Sequence, residues 1–292
     1  MVGTIVKALS GFYYVECEDI TYECKARGNF RKTGISPLVG DRVDFEKSGI
    51  IDKIQPRKNF ILRPPVANID KLFIVSAFSS PSPNTFLIDQ MTVIAEHNGI
   101  EPIIVFNKCD LGDFSSFQKI YENAGFKTFT VSANDGAGMH SLKEELKDCI
   151  SAFTGNSGVG KSSILNSIFG NDFIATGEVS EKLGRGRHTT RHTELYKLKN
   201  GGFVVDTPGF SSLELDKTDY SFKENLASYF REFGEYNSCR FTSCTHTKEN
   251  GCAVLEAVKK GEIEKTRHDS YVKLFEEMKD LKPWEAKFKK NQ

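Results

Sequence analysis

A parallel α/β domain set between a small all-β barrel and a mainly helical C-terminal domain is the architecture this chain predicts. Three observations carry it. Short alternating strands fill residues 1–65, apolar strands alternate with amphipathic helices over 66–216, and three cysteines crowd between Cys239 and Cys252 in the remainder, 217–292. A chain of 292 residues can hold two or three domains with one sizeable core. Its 39% hydrophobic and 27% charged content is that of a globular protein. No apolar run reaches membrane-spanning length, and the N-terminus lacks a basic-then-apolar signal pattern, so a cytoplasmic protein with no membrane contact is expected.

The barrel comes first. Gly3 to Leu9, Phe12 to Cys17, Ile20 to Arg27, Asp41 to Glu46 and Ile50 to Ile54 are short alternating runs punctuated by Gly and Asp. Five such strands suit a closed barrel of the OB type. Pro64-Pro65 marks its boundary, because neither proline can donate to a strand ladder. Strands are then expected at Lys71–Ser76, Pro102–Phe106, Thr128–Ser132 and Ile150–Thr154, with helices at Thr85–Asn98, Phe114–Ala124, Gly138–Cys149 and Ser162–Phe169. Continuous apolar strands between amphipathic helices imply a parallel sheet covered on both faces.

Two motifs of the α/β domain stand in an unusual order. Asn107-Lys108-Cys109-Asp110 matches N-K-x-D, and Gly155-Asn156-Ser157-Gly158-Val159-Gly160-Lys161-Ser162, followed by Ser163, matches the phosphate-binding G-x-x-x-x-G-K-[ST] loop. In the usual guanine-nucleotide switch the phosphate loop comes first. The inversion implies a circular permutation, cut between the D-x-x-G region and the strand that leads to N-K-x-D. Joining nearby termini and cutting elsewhere preserves the native contacts.

The chemistry follows from the residue types. A Gly-rich turn entering a helix presents backbone N–H groups and a partial positive charge to phosphates. Lys161 would reach the β- and γ-phosphates and Ser162 would ligate Mg²⁺. Asp206-Thr207-Pro208-Gly209 follows the strand Gly202–Val205, placing Asp206 near Mg²⁺ and the Gly209 amide near the γ-phosphate. Thr190, with Thr189 as the alternative, stands 28 residues after Ser162 as the threonine that closes over the metal. Asp110 would accept from guanine N1–H and the 2-amino group, which selects GTP and GDP over adenine nucleotides. Ser132-Ala133 ends the next strand, where the Ala133 amide can read guanine O6. The glutamine that often orients the attacking water after D-x-x-G is replaced by Phe210, so intrinsic hydrolysis should be slow. His188, in the basic run Gly184 to His192, is a candidate for that task. The alternative is that Arg185, Arg187, His188 and Arg191 only contact RNA phosphates.

Cys239, Cys244, His246 and Cys252 offer three thiolates and an imidazole within 14 residues. That set satisfies one tetrahedral zinc ion with no open position, so the ion is expected to be structural. The remaining four of the seven cysteines read as core or incidental residues. Net charge is zero overall, with a surplus of three positive charges over 1–65, of four negative over 66–215 and of one positive over 216–292. Any RNA contact must therefore come from local patches.

N-K-x-D ahead of the phosphate loop, the run Gly184-Arg-Gly-Arg-His-Thr-Thr-Arg-His, Asp206-Thr-Pro-Gly-Phe and the Cys-Cys-His-Cys pattern together resemble the RsgA (YjeQ) family of circularly permuted GTPases. Gly28-Asn29-Phe30-Arg31 and Pro37-Leu38-Val39-Gly40-Asp41 add to the likeness, which covers nearly the whole chain. The resemblance implies an N-terminal OB barrel, a permuted GTPase domain and a zinc-binding C-terminal domain. It also implies binding to the small ribosomal subunit and its rRNA during late maturation, hydrolysis stimulated by that subunit, and release afterwards. Arg27, Arg31 and Lys32 of the barrel, together with the zinc domain, are the expected contacts, and a monomer is expected. An RNA-binding scaffold whose nucleotide only stabilises the fold is the competing reading; a small-molecule kinase is disfavoured by N-K-x-D.

Overall fold

Alternation in the N-terminal residues is realised as a closed barrel. In the computed structural model, which describes residues 1–28, 30, 35–78, 83–170, 193–205 and 220–281, β1 (Val2–Leu9), β2 (Phe12–Cys17), β3 (Ile20–Ala26), β4 (Arg42–Glu46) and β5 (Ile50–Ile54) close in the order β1-β2-β3-β5-β4. The inward-facing members of the alternation, Ile5, Val15, Cys24, Val43, Phe45 and Ile51, are buried, as the period of two requires. Asp41 is fully buried beside them, and its two oxygens accept from Arg57 Nε (2.7 Å) and a terminal nitrogen (2.8 Å). A buried carboxylate is costly unless a charged donor pairs with it, and this bidentate pairing is a strong form of that.

The boundary prolines stand inside ordered structure. β6 (Phe60–Leu62) and β7 (Pro65–Ala67) form a two-stranded hairpin, with Leu62 opposite Pro65. Pro65 sits at the first position of its strand, where a missing donor is tolerated. The hairpin packs under the barrel at Gly40: a Cβ there would lie 2.0 Å from the Ala67 carbonyl oxygen.

The central sheet has six strands in the order β10-β9-β8-β11-β13-β12. They are β8 (Lys71–Ala77), β9 (Glu101–Asn107), β10 (Lys127–Val131), β11 (Ile150–Thr154), β12 (Leu195–Lys197) and β13 (Phe203–Val205). All are parallel except the edge strand β12, which pairs antiparallel with β13 and is too short to stand out in the sequence. Helices α1 (Thr85–His97), α2 (Ser115–Asn123), α3 (Met139–Glu145) and α4 (Lys161–Phe169) connect or flank the strands. The Asn84 side chain caps α1 by accepting from the Leu87 amide. α3 is shorter than its sequence pattern suggests and stops at Glu145 rather than Cys149. Asp148 takes a left-handed φ of 52°, which turns the chain into β11.

The strand order explains how a permuted chain keeps its sheet. β11, the strand before the phosphate loop, is flanked by β8 and β13. Strands on one side precede it in the chain and those on the other follow it, so the order reverses at β11. Ligands of open α/β sheets bind at the carboxyl ends of strands beside such a point.

After Tyr220 the described chain is helical: α5 (Tyr220–Asn225), α6 (Ala253–Lys260) and α7 (Lys265–Met278), with 3-10 turns at Leu226–Tyr229 and Arg231–Glu235. α7 packs on α1, so the C-terminal elements share the core of the central sheet. No helix among the described residues is long and apolar enough to cross a membrane.

Candidate functional site

The carboxyl ends of β11 and β9 bring two motifs together that lie about 50 residues apart in the chain. The loop from Gly155 to Gly160 leaves β11 and enters α4. Its shape needs glycine at both ends. Gly155 has φ 138°, and a Cβ there would lie 2.2 Å from the Val75 carbonyl oxygen. Gly160 has φ 92°, and a Cβ there would lie 2.3 Å from the Asn107 amide nitrogen. The second approach is the more telling one, because it is made against the other motif.

Asn107 joins three segments. Buried at the end of β9, it donates from Nδ2 to the Val159 carbonyl (2.9 Å) and accepts at Oδ1 from the Ala133 amide (3.2 Å). Lys108 follows with a left-handed φ of 65°, and its Nζ donates to the Gly158 carbonyl (2.9 Å). This places Asp110 in the exposed 3-10 turn Cys109–Leu111 at the rim of the site. The Ala133 amide, read from sequence as facing guanine, donates here to Asn107, so reading a base would share or exchange that bond. Ser132 is buried and its hydroxyl accepts, at 3.4 Å, from the Asp135 amide.

Lys161 folds back on its own loop, donating to the carbonyls of Gly155 (2.7 Å) and Asn156 (2.9 Å). Burial lowers its pKa, since an ammonium removed from water with only carbonyl partners gains from an anion. Asn156, Ser157, Gly158, Ser162 and Ser163 are exposed around it, while Val159 is tucked into the core. Thr189, Thr190, His188, Asp206 and Gly209 lie outside the described residues, as do Arg185, Arg187, Arg191 and Phe210, and Arg31 and Lys32 of the barrel. Arg27 is described, and its charge is already matched by Glu46 and Asp52, each at 2.8 Å.

The cysteine motif forms a second constellation. The ligand atoms of Cys239, Cys244, His246 and Cys252 all lie within 4.8 Å of one another. Cys239 Sγ stands 3.9 Å from Cys252 Sγ, and His246 Nδ1 stands 3.6 Å and 3.4 Å from those two sulfurs. Tetrahedral zinc with bonds of ~2.3 Å to sulfur and ~2.0–2.1 Å to nitrogen would space its ligand atoms at about 3.5–3.8 Å. The donor set and its spacing fit that ion, with Nδ1 as the histidine ligand atom. Burial, with the neighbouring sulfurs, pushes the Cys244 thiol up to about 12; a divalent cation would supply the charge that deprotonation needs.

Sequence reasoning missed the residues that shape this loop. Glu249 accepts from the amides of Thr245 (2.8 Å), Thr247 (3.1 Å) and Lys248 (3.1 Å), and from the Thr245 hydroxyl. From α7, Tyr271 donates to the Thr245 carbonyl (2.7 Å) and the His268 ring meets the His246 carbonyl (2.8 Å). Nothing in a glutamate between two ligands, or in His268 three residues before Tyr271, distinguishes these from surface residues. Burial opposes the Glu249 charge, but the Thr245 and loop-amide hydrogen bonds prevail and hold its pKa down at about 2. Since this lies below the unfolded value of 4.5, the stabilisation is complete above that pH and is lost as pH falls from there toward 2. Glu249→Gln removes the charge from these bonds, a loss of about 1–3 kcal/mol. The expected outcome is zinc release to a chelator at neutral pH roughly tenfold faster or more; release at the wild-type rate would remove Glu249 from this role.

Comparison with known proteins bears on the whole chain. The RsgA N-terminal domain model matches residues 2–51, and the RsgA GTPase model matches residues 54–216. The chain belongs to the RsgA GTPase family. It is 50% identical over 286 residues to the small ribosomal subunit biogenesis GTPase RsgA of Caldanaerobacter subterraneus, covering 95% of this chain and 96% of that one. The protein of the same name from Ruminiclostridium cellulolyticum is 44% identical, covering 98% and 96%. Among solved structures, YjeQ from Thermotoga maritima superposes with a TM-score of 0.81 at 37% identity, covering 96% of this chain and 99% of that one. YloQ, a circularly permuted GTPase, superposes with a TM-score of 0.80 at 36% identity, covering 97% and 96%. As a member of the RsgA GTPase family, the chain is a GTP hydrolase, and its inverted motif order is that of a circularly permuted GTPase, as YloQ is described.

Proposed function

We propose that this GTPase binds the small ribosomal subunit through its rRNA, hydrolyses GTP there during late maturation, and leaves once GDP has formed. The observation that supports the catalytic half is Asn107, whose one side chain ties the phosphate loop at Val159 to the base-reading turn at Ala133. Such a bridge suits a site in which phosphates and base belong to one ligand. The partner follows from the names of relatives that match nearly end to end.

In this reading the chain works as three domains, 1–65, 66–216 and 217–292, in the cytoplasm and as a monomer. The amides from Asn156 to Ser163 cradle the phosphates, and Lys161 leaves its loop carbonyls for the β- and γ-phosphate oxygens. Asp110 selects guanine, with Asn107, Lys108, Ser132 and Ala133 fixing its turn. Mg²⁺, held by Ser162 and Asp206, would neutralise charge on the β- and γ-oxygens. Thr190 closes over that side and Gly209 donates its amide to the γ-phosphate. Water attacks the γ-phosphorus, the bond to the β–γ bridging oxygen breaks, and GDP and phosphate result. His188 orients the water, a task that Phe210 cannot perform at the position after Gly209. Cys239, Cys244, His246 and Cys252 hold one structural zinc ion.

Single-turnover GTP hydrolysis with and without purified small subunits tests this reading. Stimulation by the subunits is expected, and turnover indifferent to them would end the proposed partnership. Lys161→Ala should lower stimulated turnover about 10²–10³-fold, the effect of losing one fixed donor to transition-state charge. If Lys161→Ala still supported subunit maturation in cells, the scaffold reading would replace this one.

A further inference from the structure

The barrel holds the edge of the nucleotide-binding sheet at two points. At one end of β12, Lys7 of β1 forms a backbone bridge with Glu194, and its Nζ lies 2.9 Å from the Glu194 carboxylate. At the other end, Lys197 donates to the carboxylate of Glu16, the penultimate residue of β2, and to Asp19 (2.5 Å) in the turn that follows. Glu16 is only 13% exposed, so its pairing with Lys197 is the least solvated of the three. The hydrogen bonds that Lys197 donates to Asp19 and Glu16 raise its pKa. The two attachments are three residues apart, about 10 Å along a strand, which fixes both the position and the direction of β12.

The place of this hairpin in the chain gives the grip its meaning. β12 and β13 form one antiparallel unit, Leu195 to Val205, closed by the Leu198 amide donating to the Gly202 carbonyl (2.7 Å). Glu194 comes four residues after Thr190, and Val205 comes one residue before Asp206. In the function proposed above, the hairpin is thus the covalent link between the two segments assigned to the γ-phosphate side. Tyr196, in the middle of β12, also stacks edge-on with Phe169 at the end of the phosphate-loop helix α4 (6.4 Å). Guanine recognition lies elsewhere, at β9 and β10 on the opposite side of β11.

We infer that Lys7, Glu194, Glu16 and Lys197 are positioning residues for GTP hydrolysis, through which the barrel sets the hairpin between residues 190 and 206. Exposed ion pairs are individually weak, which suits an adjustable coupling better than a rigid one. A partner that engages the barrel biases the hairpin, and by linkage the nucleotide state biases the barrel's affinity for that partner. That the partner is the small subunit rests on the function proposed above.

The test uses the full-length chain. Lys7→Glu and Glu194→Lys each place like charges at the bridge, and the double variant restores the pair with its polarity reversed. Guanine-nucleotide Kd, kcat for GTP with and without saturating small subunits, and melting temperature are measured for all four proteins. Each single variant should lose about five- to tenfold in kcat with Kd unchanged, and the double variant should recover most of it. Lys197→Ala should show the same split. Wild-type kcat in the single variants would overturn the inference. So would a loss that the reversed pair does not restore, or a parallel change in Kd. If subunits fail to stimulate even the wild type, the partner is wrong and the positioning role is judged on intrinsic kcat by the same four proteins.

Discussion

Replacing Arg267 with Met should destabilise the protein by about 3–5 kcal/mol, the usual cost of leaving buried charges without their partner. Arg267 is 1% exposed on α7, yet it carries a full charge. One terminal nitrogen donates to Asp89 of α1 (2.8 Å), while Nε and the other donate to Glu232 (2.8 and 3.1 Å). Rings close around the guanidinium, with Phe230 at 4.7 Å, Phe126 at 5.1 Å and Tyr121 at 5.8 Å. Two buried carboxylates face one cation, and burial raises the Asp89 pKa against the pull of Arg267. The Asp89 Oδ2 atom has no well-aligned hydrogen bond, although the Ser270 and Tyr121 hydroxyls are neighbours of the carboxyl group.

With Met at 267, both carboxylates must be protonated or drag water into the seam between α7 and α1. Urea unfolding followed by a probe in the C-terminal helices should show an earlier midpoint. Adding Asp89→Asn and Glu232→Gln should recover part of the loss, because the penalty comes from orphaned charge rather than missing volume. A single variant within about 1 kcal/mol of wild type would show that the network is dispensable. The same seam is a physical route from the metal loop to the sheet: α7 grips the loop through His268 and Tyr271, and α1 through Arg267.

Asp110→Asn should weaken GTP binding about 10²–10⁴-fold. The range follows from losing two charge-assisted hydrogen bonds of roughly 1.5–3 kcal/mol each, at about 1.4 kcal/mol per tenfold. The effect should be specific to the base. Asp110 is exposed on a turn whose shape is set by Asn107 and Lys108, so melting temperature should stay put. An Asn amide can donate to a carbonyl at position 2 of the purine, so xanthosine triphosphate should bind the variant better than GTP does. Equal GTP affinity in variant and wild type, by equilibrium titration, would show that guanine is selected elsewhere.

These two residues were not equally visible in the sequence. Asp110 could be named at once as the base-selecting candidate, since N-K-x-D is read within four consecutive positions. Arg267 looked like any helical arginine, because its partner Asp89 lies 178 positions away. The barrel divides the same way. Its five strands follow from alternation, whereas the pairing of Lys197 with Glu16, 181 positions apart, has no local signature. Pro64-Pro65 reads in sequence as a break between strands, whereas the structure places Pro65 in a hairpin strand there. The amphipathic pattern over Gly138–Cys149 does not announce the left-handed turn at Asp148, and α3 ends four residues before that pattern does.

The metal motif shows the boundary between the two kinds of information most plainly. Residue type and spacing are local, so Cys239, Cys244, His246 and Cys252 could be read as a candidate ligand set from 14 residues alone. What orients them is not local: Glu249 gathers the loop amides, and α7 supplies Tyr271 and His268 from more than twenty residues away. Chemistry encoded within a turn or a loop is legible because neighbours in the chain must be neighbours in space. The inverted order of N-K-x-D and the phosphate loop belongs to that class and was sufficient to reveal the permuted sheet. How barrel, sheet and metal loop bear on one another depends on which distant side chains packing brings within 3 Å. That is settled by the burial of apolar faces across the whole chain, and no short window contains it.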